Sequence, residues 1–411
     1  MPSTASTAIP TTPDVKSPHR GSLLIDGGKE GGHESYRVTV QREDRYDILV
    51  GRDTLSRLDE LLAPVMKAND ANSAVVITDN HVGPLYAELV MKRLSAAGVR
   101  AQCVVIPAGE PSKSVAQAQR LWDELRSRSV RRRTVLVALG GGVLCDLVGF
   151  AATTYLRGIP YVNVATSLMG QVDGAIGGKV GVDHSTGKNL IGGFYHPDLV
   201  VIDPSCLATL PLAEVINGLA EVVKVALIGT PGLIEQLERL PMQQDWALDQ
   251  PAPRHLIEGL GPIIPAAIGK KLELLAPDPF EQDLRRLLNL GHSVGHGLEA
   301  ATNYVRYRHG EAVAIGIATV TALSVGMRLA SVDTLRRVLR LLRKLRLPVS
   351  VPDELRAVVW NHLETARLVR NGRLLLVMPT AIDQCTIIDD ITRSQYDSAC
   401  QLVDQEAKAC D

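Results

Sequence analysis

Short apolar runs alternate with amphipathic stretches from "YRVTVQREDRYDILVG" (Tyr36 to Gly51) to about residue 204. "SAVVITDN" (Ser73 to Asn80) predicts a buried strand ending in Asp79. "AQCVVIPAGEPSKS" (Ala101 to Ser114) predicts a strand running into a polar loop, and "TVLVALGGG" (Thr134 to Gly142) one that ends in glycines. Strands that read as continuous apolar runs, separated by amphipathic helices, predict a parallel sheet covered by helices. Ligands of such sheets bind at the carboxyl ends of the strands, so these three ends predict a nucleotide crevice. After about residue 205 the apolar spacing becomes helical, as in "LAEVINGLAEVVKVALI" and "EAVAIGIATVTALSVGMRLA". The expected fold is therefore an α/β domain over 36–204 followed by a mainly α-helical domain over 205–411. Residues 1–35, rich in Ser, Thr, Pro and Gly, predict a disordered extension.

Composition narrows the function. Across 411 residues, 44 basic side chains face 45 acidic ones and aromatics make up only 4%. Neither a basic excess nor a stock of stacking rings is present for nucleic acid, which is not an expected partner. Six cysteines lie scattered without a CxxC pair, pointing to a reducing cytoplasm rather than a disulfide framework. The most apolar run, Val135 to Leu156, carries three glycines and Asp146 and makes a poor membrane span, and no secretory signal is visible.

Four stretches carry chemistry. Gly140, Gly141 and Gly142 lie between a strand and a helix, where bare backbone can approach a pyrophosphate, although a tight turn without ligand fits the same residues. "GQVDGAIGGKVGVDHSTGKNLIGGFYHP" sets Asp173, Lys179, Lys188 and Asn189 among glycines and apolar residues, offering donors to phosphate or hydroxyl oxygens. In "NGLAEVVKVALI" Glu221 and Lys224 share one face of an apolar helix. An exposed pair there would contribute under about 1 kcal/mol, but burial among valines would require a metal or anionic partner. "NLGHSVGHGLEA" places His292 and His296 four apart, and "YRHGEA" adds His309 before an apolar helix. Two histidines and a carboxylate form a familiar catalytic zinc set, but spacing cannot choose between His292 and His296.

The ordered stretches "PAGEPSKS", "GGGVLCDLVGFAATTYLRG", "QVDGAIGGKVGVDHSTGKNLIGGFYHPDLVVID", "TLPLAEVINGLAEVVK", "LLNLGHSVGHGLEA" and "RHGEAVAIG" resemble 3-dehydroquinate synthase and the wider sugar phosphate cyclases over roughly residues 38–385. The resemblance implies an N-terminal Rossmann-like NAD-binding domain, a helical domain holding a divalent metal (Zn2+, with Co2+ as the alternative), a homodimer, and a sugar phosphate substrate. It implies Glu221, His292 and His309 as metal ligands and assigns His296 to the substrate phosphate. NAD contacts carried over are Asp79, Glu110, Lys113, Gly141, Gly142, Asp146, Thr166, Ser167 and Lys188. Catalytic and substrate roles fall on Asp173, Lys179, Lys224, His296, Asn189, Lys271, Arg285 and Asn289, with Arg157 reaching across the dimer.

The implied chemistry is a transient oxidation, elimination of phosphate, re-reduction and aldol closure of a carbocycle. In the family a lysine and an arginine bind the carboxylate of a heptulosonate phosphate, and Lys271 and Arg285 stand at the matching positions. A neutral sugar would leave them unpaired at a cost of several kcal/mol. The expected reaction is therefore conversion of 3-deoxy-arabino-heptulosonate 7-phosphate to 3-dehydroquinate. The alternative is a specialised paralogue that cyclises sedoheptulose 7-phosphate to a valiolone-type C7 cyclitol or forms aminodehydroquinate. A metal-dependent polyol dehydrogenase and an inactive NAD-binding protein are the remaining readings. One departure stands out: Thr365, Ala366 and Arg367 occupy the place of a family Asp-Lys-Lys, and Arg367 is expected to replace a phosphate-binding lysine.

Overall fold

The computed structural model describes residues 19–30, 33–184, 187–283, 286–369 and 372–409. A hairpin of β1 (His19–Glu30) and β2 (His33–Asp44) precedes β3 (Asp47–Val50) and α1 (Leu58–Ala68). There follow β4 (Ser73–Asp79), α2 (Gly83–Ala96), β5 (Arg100–Ile106), α3 (Val115–Ser127), β6 (Val135–Gly140), α4 (Gly142–Thr154) and β7 (Tyr161–Ala165). A second hairpin, β8 (Lys179–His184) and β9 (Gly187–Phe194), leads to β10 (Leu199–Ile202). The sheet order is β3-β10-β7-β6-β4-β5 with every pairing parallel.

Both faces of this sheet are covered, and the sequence shows why. Along β4, Val75 and Ile77 join the core on one face while Ala74 and Val76 join the core on the other. Side chains alternate across a strand, so a strand buried on both faces must be apolar throughout. The predicted strands at Ser73, Ala101 and Thr134 are all present.

The second half is α5 (Leu212–Gly229), α6 (Leu233–Glu238), α7 (Arg254–Leu260), α8 (Ile263–Leu275), α9 (His292–Ala301), α10 (His309–Gly326), α11 (Val332–Lys344), α12 (Asp353–Val369) and α13 (Arg393–Ala409). A small hairpin, β11 (Leu376–Ala381) with β12 (Gln384–Ile388), interrupts the helices. By length and hydropathy α10 could cross a membrane, but 78% of that window is buried inside the fold, where it forms the central core helix.

The N-terminal expectation needs correcting. Residues 19–30 were assigned to a disordered extension, yet they pair residue for residue with His33–Asp44. Alternation in "SYRVTVQ" supplies the strand propensity, and the partner strand comes from a segment whose glycines mask it. Leu23, Leu24, Ile25, Tyr36, Val38 and Val40 remain exposed on this hairpin. Residues 1–18 lie outside the described residues.

Candidate active site

Three helices meet through glycines. A Cβ on Gly310, at the start of α10, would overlap the carbonyl of Asn217 in α5, and one on Gly316 would overlap the carbonyl of Gly291 ahead of α9. Backbone can approach this closely only where side chains are missing. The Asn217 side-chain oxygen also accepts from Gly310 N at 2.7 Å, capping α10 against α5. Glu221 on α5, His292 on α9 and His309 on α10 are thereby brought to one point.

Glu221 is 1% exposed. Its Oε1 lies 3.6 Å from His292 Nε2 and 3.5 Å from His309 Nε2, and it accepts no hydrogen bond among the described residues. A tetrahedral ion with ligand bonds of about 2.0–2.1 Å places its ligand atoms roughly 3.3 Å apart. The spacing and the orphaned buried oxygen fit a divalent metal. Lys224 pairs with the other Glu221 oxygen. Burial alone would raise the Glu221 carboxyl, but the Lys224 ammonium and both imidazoles hold it well below the ordinary carboxylate range. Burial first, and then Lys224, push His292 down to about 3, whereas at His309 burial, which would lower it, is outweighed by Glu221 and Glu299, which raise it to about 10.

Both histidines have their second nitrogen engaged. His292 Nδ1 lies 3.1 Å from Leu290 O, and His309 Nδ1 lies 3.4 Å from a Glu299 carboxylate oxygen. His296 is exposed on the same side, its ring 6.0 Å from that of His309 and 5.3 Å from that of His292. It groups with Glu299 and His309 as a second trio of ligand atoms, while Glu221 sits with His292. Two overlapping trios of possible ligand atoms thus share His309, and Glu221 belongs to the one that contains His292.

The residues expected to contact a nucleotide gather largely at the carboxyl ends of β4 to β7. Gly141 caps α4, and a Cβ on Gly174 would stand 3.0 Å from Gly142 Cα, so the glycine turn packs directly on the π-helical stretch Gly170–Gly174 that carries Asp173. Asp79 accepts from the backbone of His81 and Val82, shaping its loop, and Ser167 Oγ accepts from Gly170 N. Thr166 is buried beside it and donates its backbone N–H to Gly140 O. Lys113 Nζ donates to Asp146 Oδ2 and to Asn189 Oδ1, each at 2.5 Å. Lys188 joins Glu110 at 2.9 Å and Glu299 at 3.0 Å.

Between the two sides, Lys271 Nζ meets Asp173 Oδ1 at 2.5 Å and donates to Asp173 O at 2.6 Å and Ile176 O at 2.9 Å. An ammonium has three hydrogens, and all three are used. Lys179 pairs with Glu281, which also receives Arg286. Glu281 is buried at φ 49°, a left-handed conformation that non-glycine residues rarely adopt. Asn289 ends the turn leading to Gly291 and α9.

Some residues lie elsewhere. Arg367 is committed to Asp390 at 2.6 Å, Ile391 O at 2.8 Å and Glu364, and it stacks over Trp360. The expected phosphate role therefore does not match its position, because the planar guanidinium finds a carboxylate and an aromatic face on its own side of α12. Arg157 is exposed past the far end of α4, about 20 Å along that helix from Gly142. Arg285 lies outside the described residues. Sequence reading missed Glu299 and Glu281 as site residues. A carboxylate next to Leu298 on the apolar face of the His292–His296 helix was the available signal for the first.

Comparisons bear on this geometry. Residues 103–217 match the 3-dehydroquinate synthase N-terminal family model and residues 218–366 the C-terminal one. The chain is 84% identical over 410 residues, covering 100% of both chains, to a 2-epi-valiolone synthase of Stigmatella aurantiaca (strain DW4/3-1). It is 40% identical over 360 residues, 87% of this chain and 95% of the relative, to a 3-dehydroquinate synthase of Synechococcus sp. (strain CC9605). The solved structure of 2-epi-5-epi-valiolone synthase from Streptomyces hygroscopicus subsp. jinggangensis 5008, with NAD+ and Zn2+ bound, is similar with a TM-score of 0.80 and 31% identity, over 90% of this chain and 99% of that one.

Proposed function

The chain belongs to the 3-dehydroquinate synthase family of sugar phosphate cyclases, and on that premise we propose that it cyclises sedoheptulose 7-phosphate to 2-epi-valiolone with loss of phosphate. The observation that carries this reading is the end-to-end 84% identity with a 2-epi-valiolone synthase. The sequence expectation favoured a carboxylated substrate because of Lys271 and Arg285. Lys271 argues the other way once its partners are known: its donors are spent on Asp173 and two carbonyls, and a cation paired in this way does not need a substrate carboxylate.

When bound, NAD+ supplies reversible hydride removal at a ring alcohol, and a divalent metal supplies Lewis acidity there. Glu221, His292 and His309 would hold the metal. The glycine turn at Gly141–Gly142, with Lys113, Asp146 and Glu110, would hold the nucleotide. Lys224, buried beside Glu221, is placed to stabilise negative charge that develops on a substrate oxygen. His296 and Lys179, both more open to solvent, would receive the phosphate and stabilise it as it leaves. Arg157 would contribute from a second copy, so the active species would be a homodimer.

The test is phosphate release by the metal-loaded protein with catalytic NAD+, comparing sedoheptulose 7-phosphate with 3-deoxy-arabino-heptulosonate 7-phosphate and identifying the carbocycle by mass spectrometry. Turnover of the first to 2-epi-valiolone is expected. Turnover of the second to 3-dehydroquinate, with none of the first, would return the chain to the carboxylate-using branch. Stoichiometric NADH release without phosphate would make it a dehydrogenase.

A further inference from the structure

Glu299 is an acid buried to 1% exposure in the wall between the two halves of the site. A buried carboxylate needs compensation, and its two oxygens divide the task. Oε2 faces His309 Nδ1 at 3.4 Å, while Oε1 faces Lys188 Nζ at 3.0 Å. His292, the other ring beside Glu221, is held by a neutral backbone carbonyl instead. A carboxylate behind a ligating imidazole fixes its tautomer and makes it a stronger donor to a metal.

Lys188 carries the contact further. It belongs to β9, its ammonium lies 5.0 Å from the centre of the Tyr304 ring, and it meets Glu110 at 2.9 Å. Glu110 opens the turn after β5, three residues before Lys113, on the strand end that faces the nucleotide crevice. An unbroken chain of charges, Glu110 to Lys188 to Glu299 to His309, thus joins that crevice to the point beside Glu221.

We propose that Glu299 is a positioning residue for His309 and that Lys188 makes it the link through which dinucleotide and metal bind cooperatively. The proposal rests on Glu221, His292 and His309 being the metal ligands. When a bound dinucleotide engages Glu110, Lys188 is left to Glu299 alone and fixes the carboxylate against His309. Each ligand then raises the affinity of the other by the same factor, as thermodynamic linkage requires.

The experiment measures Zn2+ affinity of chelator-stripped full-length protein by competition with a chromophoric chelator, with and without saturating NAD+, and records the visible spectrum of the Co2+ form. Wild type is expected to bind Zn2+ at least about fivefold more tightly with NAD+. Glu299→Gln, nearly isosteric, is expected to lose about tenfold in metal affinity, shift the Co2+ bands and abolish the NAD+ effect. Lys188→Met, assayed at an NAD+ concentration shown by titration to saturate that variant, is expected to lose the NAD+ effect on Zn2+ affinity. Glu221→Ala separates the two readings. If it abolishes tight metal binding while Glu299→Gln and Lys188→Met both behave as wild type, the inference falls and the metal assignment stands. If Glu221→Ala binds normally, the metal assignment itself is overturned.

Discussion

Lys271 Nζ lies 2.5 Å from Asp173 Oδ1, so a helix of the second half is pinned by an ion pair to the segment that packs on the glycine turn of the first. Lys271 is 7% exposed. Removing one partner of a buried pair leaves the other charge without compensation. Lys271→Met is expected to lower the unfolding free energy by on the order of 3 kcal/mol, read from urea denaturation at neutral pH. A loss under about 0.5 kcal/mol would mean that the pair contributes no more than an exposed one.

The same pair sets an acid limb. Burial alone would raise the Asp173 carboxyl, but Lys271 and Lys224 bring it down to about 2. An aspartate in the unfolded chain titrates near about 3.9, so between roughly pH 4 and pH 2 the unfolded state binds the extra proton. The contribution of Asp173 is therefore complete above about pH 4 and disappears as pH falls through about 2. Asp173→Asn should flatten the fall of unfolding free energy across that window while changing the slope between pH 5 and 7 little.

Glycine contacts between helices predict a coupled loss. Gly316→Ala places a methyl against Gly291 O and pushes α9 from α10. The expected cost is about 1–3 kcal/mol of stability. Because His292 follows Gly291 directly, Zn2+ affinity should fall in the same variant. Gly326→Ala, at the open end of α10 with nothing near its added carbon, serves as the comparison and should alter neither.

Metal should report on folding as well as chemistry. A ligand at 100 times its Kd stabilises the folded state by about 2.7 kcal/mol. Zn2+ or Co2+ at that excess is expected to raise the thermal midpoint of the stripped protein in differential scanning calorimetry. His292→Ala should show no rise at the same concentration. An equal rise in both would place the ion somewhere other than beside Glu221.

Arg157 offers a test of assembly. It is exposed and far along α4 from the glycine turn of its own chain. Co-expressed Arg157→Ala and His292→Ala chains, each inactive alone, should regain about a quarter of wild-type activity through mixed dimers, each with one complete site. Activity no greater than that of the two separate variants would mean that each copy completes its own site.

The chain shows its architecture plainly where burial on both faces forces an unbroken apolar run, as at Ser73–Asp79 and Val135–Gly140. Glu221 and Lys224 were legible for the converse reason: charges within an apolar helix face must find partners. Glu299 escaped notice because its value depends on His309 and Lys188, which are 10 and 111 positions away. Lys271 was visible as a residue but not as a satisfied one, since its acceptors are an aspartate and two carbonyls nearly a hundred positions earlier. For Arg367, matching residue types by position does not reveal that its guanidinium is paired with Asp390 and lies over the Trp360 ring.

The glycine contacts around α10 have a further meaning for redesign. Because Asn217 O and Gly291 O meet bare backbone, the spacing of the three helices that carry Glu221, His292 and His309 is set in part by main-chain contact, and any side chain added there would move them apart. The Gly170–Gly174 stretch is tied into the same frame, since Asp173 pairs with Lys271 and Gly174 packs on Gly142, so changes there are expected to reach the chemistry as well as the fold.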